Sequence, residues 1–221
     1  MNINISTVNY TLSRLFFLLL FIFAMNSAIF ATDNRVKVIA FGDSLTAGYG
    51  LGPGEGFTER LQVWLRANGH ASVDVINAGV SGDTSSGGRS RLDWALAPIK
   101  GGKPDLLILE LGANDGLRGI DPDITRDNIF AIVKSLRAKG VPVLVAGMIA
   151  PPNLGPDYAE SFNSIFSDVA TKYAVKLYPF FLDGVAADPC LNQGDGIHPN
   201  KKGVDVIINR MGPVVSLALN K

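Results

Sequence analysis

Residues 36–50 read VKVIAFGDSLTAGYG. The first six, Val36 to Phe41, read as a largely apolar strand, and Gly42 ends it. A polar, glycine-rich segment comes next. Further out, the pattern repeats. Phe57, Leu61, Trp64 and Leu65 recur at helical spacing until Asn68-Gly69 stops them. Val73 to Ile76 gives a second strand, a short helix is predicted over Ser90–Ala97, and Leu106 to Leu109 gives a third strand whose unbroken apolar run implies burial on both faces.

Beyond the third strand the alternation continues. Asp121-Pro122 combines an N-cap acceptor with proline at the first helical position. Ile129, Ile132, Val133 and Leu136 supply that helix's core face, and Gly140 closes it. Residues 141–146 and 175–178 read as strands four and five. Between them Asp157 and Glu160 are spaced as a capping box. Val204, Ile207, Ile208 and Met211 mark a terminal helix, expected to kink or restart at Pro213. Strand and helix alternating at this pitch predict a single doubly wound, flavodoxin-like α/β domain with a five-stranded parallel sheet covered on both faces.

The other end of the chain differs in kind. Residues 15–25 read LFFLLLFIFAM, with Arg14 before them and Asn26-Ser-Ala-Ile-Phe-Ala31 after. A charged start, a short apolar core and a small residue are the parts of an export leader cut after Ala31, so residues 1–31 are expected to be a signal peptide and 32–221 the working domain. Retention as an anchor is the alternative, although eleven apolar residues fall short of the ~20 that span a bilayer. The expected location is periplasmic or secreted.

Composition narrows the function classes. The chain's 20 basic and 20 acidic residues cancel, so there is no basic excess for a nucleic-acid backbone. One cysteine excludes a disulfide framework, and two histidines with it leave little for a metal centre. No cofactor, no metal and no nucleic acid are expected. A monomer without stable membrane insertion after leader cleavage is the expected state. Cys190 is expected to be buried and inert.

Ligands of such sheets bind beyond the carboxyl ends of the strands, where the strand order switches. The polar glycine-rich segments fall there: residues 42–50, 77–84 and 112–116, which are direct neighbours if the order is 2-1-3-4-5. Asp195-Gly-Ile-His-Pro199 is a further loop entering a helix. His70 sits in a helix-ending turn and reads as solvated. His198 has Asp195 three residues before it, close enough for a carboxylate to hold Nδ1 and leave Nε2 to accept a proton. A solvated loop pair is the other reading of that spacing. Ser44 stands at a strand exit between Gly42 and Gly48, placed as a nucleophile or as an ordinary turn serine. Gly-x-Ser-x-Gly and the phosphate-binding loop frames are absent.

Taken together, GDSLTAGYG, NAGVSGDT, ELGANDGLRG and DGIHPN resemble, in order and spacing, the four signature blocks of the SGNH, or GDSL, hydrolases. Within that family they are most similar to the thioesterase I, lysophospholipase and arylesterase type. The resemblance implies a three-layer α/β/α fold and a hydrolase of acyl esters, thioesters or lysophospholipids. It implies Ser44 as nucleophile, His198 as base and then acid, and Asp195 as its orienting partner. The backbone N–H groups of Ser44 and Gly82 and the Asn114 amide are then the oxyanion hole. Gly79 is assigned to turn geometry, and Asp43 and Asp115 to loop ties. Residues 50–56 and 148–157 are expected to shape the acyl pocket. A carbohydrate O-deacetylase and, from another class, a non-catalytic flavodoxin-like binder are the competing readings.

Overall fold

The computed structural model describes residues 35–220. The leader read at residues 1–31 lies outside them. Five parallel strands form one sheet: β1 (Val36–Gly42), β2 (Val73–Gly79), β3 (Leu106–Glu110), β4 (Val143–Ala146) and β5 (Lys176–Tyr178), in the order β2-β1-β3-β4-β5. The helices are α1 (Ser44–Ala47), α2 (Phe57–Ala67), α3 (Ser85–Leu96), α4 (Ala113–Leu117), α5 (Pro122–Ala138), α6 (Pro156–Tyr173) and α7 (Lys201–Leu219). Among the described residues no helix is long and apolar enough to cross a membrane.

β1 is the centre of the design. Its Val38–Phe41 segment is fully buried, as is β3, because helices cover both faces of the sheet. On one side Gly42 pairs in register with Gly79, and on the other with Glu110. Strands β1, β2 and β3 therefore end level with one another. The chain leaves β1 for β2 on one side and returns to β3 on the other, so the switch in strand order falls between β1 and β3. Side chains on the loops after these strands meet there.

Several boundaries depart from the sequence reading. β2 runs three residues further, through Asn77-Ala78-Gly79, so Gly79 is strand and not turn. Its lack of a side chain serves close approach, since a Cβ there would overlap the backbone of Ala47. α3 starts at Ser85, five residues early. Thr84 caps it by accepting from Gly87 N, and Gly88 lies against the side chain of Leu111, so tertiary contacts hold a segment of poor helix propensity. Residues 113–117 form a short helix where a loop was expected.

α5 begins where Asp121-Pro122 predicted. α6 does not use the Asp157–Glu160 box. Gly155, at φ 84°, and Pro156 turn the chain into the helix two residues earlier. α7 runs through Pro213 without ending. Val204, Ile207, Ile208, Met211 and Val215 are buried along it, and that burial outweighs the hydrogen bond the proline removes.

Candidate active site

Four loops and short helices converge beyond the level ends of β1, β2 and β3. Asp43 caps α1 by accepting from Leu45 N at 3.0 Å, which sets Ser44 at the first helical position directly after the strand. The Ser44 hydroxyl lies 2.9 Å from His198 Nε2, and His198 Nδ1 lies 2.7 Å from Asp195 Oδ2. The other Asp195 oxygen accepts the backbone N–H groups of Ile197 and His198, each at 3.0 Å. The hydrogen bond from the imidazole, together with those two N–H groups, holds the Asp195 carboxyl down at about 2. An ionised carboxylate can only accept, so Nδ1 carries the ring proton, Nε2 is the acceptor, and the Ser44 hydroxyl donates to it.

Asn114 belongs to α4, entered through Gly112 in the left-handed region at φ 115°. Its Nδ2 donates to Asp43 Oδ2 at 3.2 Å, which fixes the amide's orientation and leaves a second N–H beside the cleft. Gly82, at φ 85°, lines the same cleft, and its carbonyl accepts from Arg118 at 2.9 Å. Ser44, Gly82, Asn114, Asp195 and His198, far apart in sequence, thus share one site. Asp115 does not face it. It is buried, accepting from Ser85 N at 2.7 Å, from the Ser85 hydroxyl, and from Thr125 at 3.1 Å, so it ties α3, α4 and α5 together.

Two residues escaped the sequence reading. Glu110 is wholly buried behind the nucleophile loop, accepting from Thr46 Oγ1 at 2.7 Å and Asp43 N at 3.3 Å, while its Oε1 has no partner. Desolvation, and then the Asp43 charge beside it, push its carboxyl well above the ordinary range. Burial also raises Asp43, to about 6; the hydrogen bonds from Leu45 and Asn114 oppose that rise. A charged residue ending the apolar strand LLILE was the available signal. Arg91 was missed too. It pairs with Asp83, donates to the carbonyls of Ala78 and Gly42, and covers the Phe41 ring, stapling β1 to β2.

The cleft holds about 500 Å³ and is walled by Met148, Ile149, Pro151, Phe180, Leu182 and Ile197. Of the expected segment 148–157, residues 148–152 line it and residues 153–157 do not. Residues 50–56 do not line it; of that glycine-rich loop's neighbourhood only Tyr49 reaches the cleft. Two other expectations fail. Cys190 is exposed, because the turn it occupies uses its backbone, N–H to Asp188 and carbonyl to Asn200, and not its thiol. His70 is half-buried and bonded to Ser216 at 2.8 Å, since its turn packs on α7.

Comparison with known proteins shows the family. Residues 40–206 match the GDSL-like Lipase/Acylhydrolase family. The chain is 42% identical to Esterase TesA of Pseudomonas aeruginosa over 73% of its own length and 79% of that protein's. It is 34% identical to Thioesterase 1/protease 1/lysophospholipase L1 of Escherichia coli, covering 83% of this chain and 85% of that one. Among solved structures, psychrotrophic esterase EstA from Pseudoalteromonas sp., inhibited by monoethylphosphonate, superposes with a TM-score of 0.77 at 35% identity. That match spans 85% of this chain and all of the other.

Proposed function

Because the chain belongs to the GDSL-like lipase/acylhydrolase family and is a hydrolase of carboxylic esters, we propose that it works through an acyl-enzyme on Ser44. The observation that carries the reading is the unbroken hydrogen-bond run from Ser44 Oγ through His198 to Asp195. His198 Nε2 takes the hydroxyl proton as Oγ attacks the ester carbonyl. Negative charge gathers on the carbonyl oxygen, where Ser44 N–H, Gly82 N–H and the Asn114 amide stabilise it. As the intermediate collapses, His198 returns the proton to the departing alcohol or thiol. Water then repeats the sequence, gives up its proton to His198, and releases the acid and a restored Ser44.

The substrate class proposed is acyl esters, acyl thioesters and lysophospholipids, since the cleft walls offer aliphatic and aromatic carbon to an acyl chain. Residues 1–31 are proposed as a leader that exports the domain. The test is a series of acyl esters of rising chain length, one acyl thioester, one lysophospholipid and one acetylated glycan. Wild type is expected to turn over the acyl substrates, and Ser44→Ala to be folded and inactive. An unchanged kcat in Ser44→Ala overturns the nucleophile assignment. Turnover of the acetylated glycan alone overturns the substrate class in favour of deacetylation.

A further inference from the structure

The loop after α1 and the turn carrying His198 come from opposite ends of the domain. The hydrogen bond between Ser44 and His198 spans 154 positions of sequence. Neither His198 nor Asp195 lies on a helix or strand, so something other than regular structure must hold the base in place. One half-buried side chain touches both segments. Gln193 donates its backbone N–H to the His198 carbonyl at 2.8 Å. Its side-chain amide donates to the Pro199 carbonyl at 3.0 Å and to the Tyr49 carbonyl at 2.7 Å. Tyr49 in turn donates its backbone N–H to the Ser44 carbonyl at 3.1 Å. A run of neutral hydrogen bonds therefore joins Ser44 to His198 by a route independent of the Oγ–Nε2 contact.

We infer that Gln193 is a positioning residue: its carboxamide clips the nucleophile loop to the histidine turn and sets the separation of Ser44 Oγ from His198 Nε2. The inference rests on the reading of those two residues as nucleophile and base. Two further features of the site agree with it. Gly50 adopts φ 72°, and a Cβ there would overlap Gln193 Oε1, so the glycine makes room for the clip. That gives a purpose to a glycine-rich loop that does not line the cleft. The Tyr49 ring, held by the same clip, lies 4.6 Å from the imidazole at a tilt of 37°. Packed there, it limits rotation of His198 and favours the cation formed when Ser44 loses its proton.

An ion pair between Glu55 and Lys201, 3.2 Å apart, links the same segments at the surface. It is solvent-exposed and holds little by itself. The Gln193 amide, being neutral, sets the geometry without adding charge beside the base. Catalysis is sensitive to such geometry, since a misplacement of about 1 Å is enough for a roughly 100-fold loss.

Two variants test the clip on an acyl ester from about pH 5 to 9, with Ser44→Ala and thermal melts alongside. Gln193→Met keeps the length and removes both donors. It is expected to lower kcat about 10- to 100-fold, with KM and Tm nearly unchanged. Gln193→Glu keeps the shape but sets a carboxylate against two carbonyl oxygens. Its kcat relative to wild type is expected to rise as pH falls, because a protonated carboxyl recovers one donor. Wild-type kcat in Gln193→Met overturns the clip and leaves the Ser44 reading standing. Full turnover in Ser44→Ala overturns that reading instead. If Gln193→Met does not fold, the Gln193→Glu ratio decides: a ratio rising toward acid supports the clip and a flat one overturns it.

Discussion

Asn114 spends one N–H on Asp43, and this bond determines which way the amide faces the cleft. Asn114→Ala is expected to lower kcat about 100- to 1,000-fold, as loss of one such donor commonly does, with KM little changed. Steady-state kinetics on an acyl ester check it. Asp43, raised to about 6, links this donor to pH. As pH falls through that value the carboxylate is protonated and its grip on Leu45 N and Asn114 weakens. Activity is therefore expected to fall on the acid side in a pH–kcat profile, and a flat profile from about pH 5 to 8 contradicts this role of Asp43. At this scale the sequence was partly legible. Motif blocks pointed to Ser44, His198 and Asn114, which the fold brings together, whereas for Glu110 the sequence offered only a charge ending an apolar strand. Its burial follows from pairing with Gly42 on a neighbouring strand.

At the scale of elements, the site depends on three strands ending level and on close backbone contact between β2 and α1. Gly79→Ala would drive a methyl into Ala47. It is expected to destabilise by about 1–3 kcal/mol and to lower kcat by displacing Ser44; thermal melts with kinetics check both. The buried Glu110 makes a separate prediction. Its folded-state carboxyl lies above the ordinary 4.5, so the folded protein binds a proton that the unfolded chain releases. Stability then falls as pH rises above that ordinary value, until the folded carboxyl itself ionises. Glu110→Gln removes this dependence, so its Tm is expected to decline less than wild type's between about pH 5 and 8. Identical slopes contradict it. Strands were legible from unbroken apolar runs, and α5 from Asp121-Pro122. The start of α3 was not, because Ser85 and Gly88 become helical only through partners, Asp115 and Leu111, that lie outside that helix.

Over the whole molecule, the charge balance and high hydrophobicity divide between residues 1–31 and residues 32–221. Residues 1–31 contain one basic residue and no acidic one, and residues 32–221 are close to neutral. If the leader is cut after Ala31, the exported protein begins at Thr32. Intact mass of the product from an exporting bacterium is expected to show that start, and a full-length, membrane-retained chain contradicts it. The order of strands was legible as a consequence of alternation, because short right-handed crossovers leave few arrangements. The clip at Gln193 was not legible, since it joins loops that only the finished sheet brings together. Every step of the chemistry depends on Ser44 being the nucleophile and His198 its base. Treating the protein with a fluorophosphonate and mapping the adduct by peptide mass addresses that pair without reference to any substrate. A single adduct on Ser44 is expected, absent in Ser44→Ala and much slower to form in His198→Gln. An unlabelled protein, or an adduct on another residue, would contradict the assignment.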